Sequence, residues 1–93
     1  MINAIRVLIA VVATALAVAA PAAADEAEYL HLVQPKYTFL SAEQLLSEGI
    51  KVCKASRAGM LSPDAVQMVQ KDLAVSVGAA GDIVAAAVVT LDC

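Results

Sequence analysis

The chain has 93 residues, 61% of them apolar, and a formal charge of −3, but much of that apolar weight lies in the first 24 residues. The 69 that follow carry five basic and nine acidic side chains, a net −4 with no basic run. Such a balance excludes charge-driven binding to nucleic acid or an anionic bilayer, and the length excludes more than one domain.

Met1–Arg6 is a short head with one positive side chain, and Val7–Ala20 is an apolar run broken only by Thr14. Pro21-Ala22-Ala23-Ala24 then precedes Asp25-Glu26. A basic head, an apolar run and small residues at −3 and −1 form the layout signal peptidase reads. The expectation is a signal peptide over 1–24, cut between Ala24 and Asp25 or one or two residues earlier, and an exported domain over 25–93. The rival, a retained membrane anchor, needs roughly 20 apolar residues, a length reached only by counting Pro21 and the alanines. Localisation is expected to be extracellular or in the cell envelope, with no membrane contact once the leader is gone.

Asp25–Gln34 predicts a first helix with Tyr29, Leu30 and Val33 on one face, Asp25 and Glu28 as a capping-box-like pair, and Pro35 as its stop. Tyr37 and Phe39, in the connection Pro35–Leu40, are expected to tuck against the core. Ser41 caps a second helix with Gln44 three residues on. Its apolar arc takes Ala42, Leu45, Leu46, Gly49, Ile50, Val52, Cys53 and Ser56; Glu43, Gln44, Ser47, Glu48, Lys51 and Lys54 lie outside, with Glu48 and Lys51 spaced to pair weakly. Gly59 stops it. Ser62-Pro63-Asp64 reads as cap, first helical position and dipole partner of a third helix, with Ala65, Val66, Val69 and Leu73 inward. Gly78–Gly81 is expected to break the chain, and Asp82 to cap a last element, Ile83–Leu91. Val88–Leu91 is also good strand material, but with no second strand to pair it the element is read as a central, buried helix. The fold class is all-α, about four short helices.

Two cysteines, Cys53 and Cys93, fall in the exported part. A core of this size rarely supplies more than about 3–5 kcal/mol, so a staple is expected, and an oxidising compartment allows one. The favoured pairing is an intramolecular Cys53–Cys93 disulfide; intermolecular pairing through Cys93 and unpaired thiols are the alternatives. The forty-residue spacing and Asp92 beside Cys93 argue against a redox-active pair.

Tyr29-Leu30, Gly49-Ile50-Lys51-Val52-Cys53, Gly59, the Ser62–Leu73 segment, Ile83-Val84-Ala85-Ala86-Ala87 and Leu91-Asp92-Cys93 together resemble a family of small exported mycobacterial and related actinobacterial proteins of unknown function. The resemblance covers most of 25–93 and implies an all-helical, signal-bearing domain with Cys53 and Cys93 joined. Pro35-Lys36 stands where many members are richer in glycine. The family implies no activity.

No catalytic, cofactor-binding or metal-binding residues are expected. His31, the only histidine, lacks a nucleophile and an orienting partner, and His31, Cys53 and Cys93 lack zinc-ligand spacing. Gly78-Ala-Ala-Gly81 lacks the lysine and strand of a phosphate loop. The expectation is no enzyme and no cofactor, but a structural or protein-interaction module. Met60-Leu61 and the trio Tyr29, Tyr37 and Phe39 are its candidate contact surfaces, with core closure as their other role. The alternative is a carrier of a small apolar or lipid-like ligand, against which four short helices are expected to leave little volume.

Overall fold

The computed structural model describes residues 23–93. All of the expected leader but its last two residues therefore lies outside the described residues. Four helices follow one another: α1, described over residues 23–33, α2 (Ala42–Arg57), α3 (Ser62–Leu73) and α4 (Val77–Thr90). No strand occurs among the described residues, so the expected all-α class holds and the last element is a helix throughout.

α1 already includes Ala23 and Ala24, which places Asp25 inside the helix and not at its cap. Tyr29 and Val33 are buried and Leu30 packs against them. Gln34 N–H donates to Leu30 O at 2.8 Å and Tyr37 N–H to Val33 O at 3.1 Å, closing the end before the connection. Leu40 fills the core position of that connection. Tyr37 packs against the core as expected while donating to Asp82 Oδ2 of α4 at 2.6 Å; Phe39 does not, at 70% exposed, and rests edge-on against the Tyr37 ring.

α2 begins with the expected capping box. Ser41 Oγ accepts from Gln44 N–H at 3.0 Å, and Gln44 Oε1 accepts from Ser41 N–H at 2.9 Å, satisfying two donors the helix start leaves unpaired. It ends at Gly59, whose φ of 101° only glycine adopts without strain. Met60 N–H returns to Ala55 O at 2.9 Å and Gly59 N–H to Ser56 O at 3.1 Å, the paired bonds of a Schellman motif. The buried arc is rotated from the expected one: Glu48 is buried and Ile50 is exposed. The cause is Gly49. A Cβ built there would stand 2.7 Å from Tyr29 Cζ and 3.0 Å from Leu91 Cδ1, so the missing side chain is what lets Tyr29 settle onto α2.

Leu61, not Ser62, occupies the cap position of α3, with no side-chain bond; Pro63 and Asp64 lie in its first turn as expected. Ala65 and Val69 are buried, and Val66 and Leu73 pack at the edge. The break before α4 falls at Ala74–Ser76, and the chain turns through 115° between the two helices. Gly78–Gly81 is therefore helix, contrary to expectation. Ser76 is the cap, accepting from Ala79 N–H at 3.2 Å, and the fully buried Ala80 anchors the turn that holds both glycines. Asp82, expected as cap, sits on the surface of the second turn.

α4 packs on both α2 and α3, which also touch each other. Ile83 and Ala87 are fully enclosed, and Thr90 is buried with its hydroxyl donating to Ala86 O at 2.6 Å. The helix is not buried all round, however: Val77, Val88 and Val89 face outward.

The two contrasting helical glycines give a matched test. Gly49→Ala is expected to lower stability by about 1–2 kcal/mol, because overpacking a fitted contact costs about 1–3 and helix propensity returns at most about 1. Gly81→Ala, with nothing within 4 Å of its Cβ, is expected to stabilise by roughly 0.5–1 kcal/mol. Chemical denaturation of both variants checks the pair; a stabilising alanine at Gly49 would contradict the close Tyr29 contact.

Candidate functional site

Two surfaces concentrate chemistry. The larger is a solvent-open groove of about 520 Å³ between the end of α1 and the outer side of α4. Val33 and Ala86 belong to its floor, Leu32, Ala85 and Val89 to its walls, and His31, Lys36 and Asp82 to its rim. Val89 is 78% exposed there. Tyr37 braces one end through its bond to Asp82, and that bond, with the neighbouring carboxylate, pushes the phenol up to about 12. The phenol therefore keeps its proton and its hold on Asp82 across the physiological range. The space is open to solvent and lies on the surface between helices, not inside the bundle.

The second is a small polar cluster where α1, α2 and α3 meet. Lys51 Nζ donates to Asp72 Oδ2 at 2.6 Å, so Lys51 pairs across to α3 and not with Glu48 as expected. Glu48 is only 6% exposed, and no donor among the described residues reaches its Oε1. Burial, then the hydrogen bond and charge of Asp72, push the Glu48 carboxyl up to about 7, against a smaller opposing effect of Lys51. Asp72 moves the other way, held below its usual range by Lys51 and by Glu48. Of the two carboxyls, the buried Glu48 therefore holds a proton the more readily. Tyr29 packs on the same stretch of α2, donating to Leu45 O at 2.6 Å and resting on Gly49, and its phenol is raised by burial and by Glu48.

Of the residues singled out from sequence, Cys53 and Cys93 are brought together. Their sulfurs stand at disulfide-bonding distance, with Cα atoms 4.8 Å apart. Asp92 takes a left-handed φ of 57° that turns Cys93 back toward α2, and Arg57 Nη2 donates to Asp92 O at 3.0 Å across the same corner. Ala24 is exposed and Asp25 half-buried within α1. Asp25 and Glu26 line a small recess with Cys53, Lys54 and Arg57. Tyr29 is core, whereas Leu61 is 69% exposed and Met60 is also on the surface. His31 is exposed on the groove rim. No group of three or more metal-ligating side chains occurs among the described residues, and no single helix among them is long and apolar enough to cross a membrane.

Leu32, Ala85, Val89 and Glu48 escaped the reading of the sequence. A signal for Ala85 and Val89 existed: α4 is apolar nearly all round, so a four-helix bundle has to leave one of its sides open. Comparison with protein-family profiles, with curated proteins and with solved structures finds no match for this chain.

Proposed function

We propose that residues 25–93 form an exported interaction module of the cell envelope or extracellular space, which seats an apolar segment of a partner protein in the α1–α4 groove. The observation that carries this reading is the open side of α4, where Val89 stands exposed beside Leu32 and Ala85. A contiguous apolar surface rimmed by polar groups is the usual form of a contact site. The rim offers one cation, Lys36, and one anion, Asp82, which suits an uncharged segment better than a polyanion. The leader-like N-terminus, the cysteine pair and the resemblance to exported actinobacterial proteins support the export half of the reading.

The test is a photo-reactive side chain at Leu32 in producing cells. It is expected to capture a protein, and Val89→Glu is expected to cut that capture by at least about tenfold, as charging a contact centre does. Val77→Glu, 65% exposed at the other end of α4 and outside the groove, is expected to leave capture unchanged. Equal loss with both variants would remove the groove from the account.

A second reading, a carrier of a small apolar ligand, is favoured by the groove volume, which exceeds the roughly 300 Å³ lower limit of ligand pockets. Its openness weighs against it, since ligand pockets enclose most of what they bind. Native mass spectrometry of protein from its own host distinguishes the two, with added small-molecule mass for a carrier and none for an interaction module.

A further inference from the structure

We infer that a proton on Glu48 controls how firmly α1 is seated on α2, making the α1 side of the molecule a pH-responsive element. The geometry is specific. Glu48 is 6% exposed on the stretch of α2 where Tyr29 of α1 bonds Leu45 O and rests on Gly49, and the exposed Asp72 of α3 is its neighbouring carboxylate. Lys51, the one cation of the cluster, is already committed to Asp72 at 2.6 Å.

With the proton present, Glu48 is neutral and the cluster carries one negative and one positive charge, Asp72 and Lys51. Without it, two anions face one cation, and the Glu48 charge is buried with an oxygen that no donor among the described residues reaches. A buried, unpaired charge is costly and is relieved by admitting water. The remaining charges do not offset it. Asp25 and Glu26 of α1 lie toward Cys53, beside Lys54 and Arg57. Glu28 and His31 of α1, and Asp64 and Lys71 of α3, are exposed. The single charged side chain of α4, Asp82, is held by Tyr37.

Water enters where the cover is weakest. α3 is anchored on α4 through buried Ala65 and Val69, and α2 is tied to the end of α4 at Cys53 and Cys93. α1 has two fully buried large side chains, Val33 and Tyr29, and Tyr29 rests on α2 at Leu45 and Gly49, on either side of Glu48 in the chain. The raised carboxyl sets the sign. A group protonated more readily in the closed form stabilises that form fully at acid pH and loses its contribution as pH rises through the closed-form value near 7. Asp72, shifted the other way, acts only at lower pH.

The test is hydrogen exchange of the oxidised protein, read by mass spectrometry and corrected for intrinsic exchange rates. Protection of amides in 26–33 is expected to fall by at least about tenfold from about pH 5 to about pH 7.5 and then level off, with α2 and α4 amides changing less. Glu48→Gln keeps the shape of the neutral carboxyl but cannot ionise, and is expected to abolish the step; Glu48→Met, which removes the polar group as well, serves if the glutamine variant does not fold. His31→Gln is expected to leave the step in place. A flat wild-type profile, a step surviving in the Glu48 variants, or an equal loss of protection in all four helices would each overturn the inference. None of these readouts involves a partner, so the result stands apart from the groove reading.

Discussion

Replacing Cys53 by serine is expected to lower the stability of the oxidised protein by about 4 kcal/mol, the chain-entropy value for closing a loop of forty residues. The packing explains why the loss falls on the folded state with little local relief. Cys53 lies on the buried face of α2 and Cys93 just past the end of α4. Both sulfurs approach the carbonyl oxygen of Ala87, at 3.7 and 3.4 Å; these are contacts, since bridged sulfurs carry no proton to donate. Serine there brings a hydroxyl into an apolar corner and unties the last turn of α4. A domain of this size holds few kcal/mol in reserve, so the variant is expected to be largely unfolded near 37 °C. Urea titration of oxidised wild type, reduced wild type and the variant measures this: the last two should coincide, well below the first. Equal midpoints for all three would mean the sulfurs are unpaired in solution, as would recovery of two alkylatable thiols without reductant. Intermolecular pairing through Cys93 would instead give a covalent dimer on non-reducing gels.

Tyr29→Ala is expected to be of similar severity, about 3–5 kcal/mol, as for other large aromatic truncations in a core. Tyr29 is among the largest fully buried side chains and joins α1 to α2 by packing on Gly49 and by its bond to Leu45 O. Its removal leaves a void that the Gly49 backbone cannot fill. Tyr29→Phe separates the two contributions: it keeps the ring and loses one hydrogen bond, for about 1 kcal/mol. Thermal or urea unfolding of both variants supplies the comparison. A phenylalanine variant as unstable as the alanine variant would shift the weight from packing to the hydroxyl.

Local chemistry was legible wherever a side chain acts on its own backbone. Ser41 with Gln44, Gly59, Pro35 and Pro63 each mark a boundary near where it occurs, and the spacing of Leu45, Val52 and Cys53 points the cysteine inward. What was not legible depends on partners distant in sequence. Glu48 borders the apolar arc of α2, and only the arrival of Tyr29 over Gly49 turns that border inward. Gly78 and Gly81 resemble a breaker by composition, yet a cap at Ser76 and the burial of Ala80 carry the helix through both. Phe39 has the size of a core residue, but the Tyr37–Asp82 bond fixes the connection with Leu40 inward instead. The groove was hidden for the same reason: periodicity shows that α4 is apolar on every side, not which side its neighbours leave uncovered.

The helical run through Ala23, Ala24 and Asp25 has a consequence for the order of maturation. A peptide bond wound into a helical turn is a poor protease substrate, because cleavage sites are bound as open, extended chain. On the proposed export reading, with a cut at Ala24–Asp25, cleavage has to come before α1 winds up. On that reading, whatever fraction coils first would escape the peptidase and keep residues 1–24.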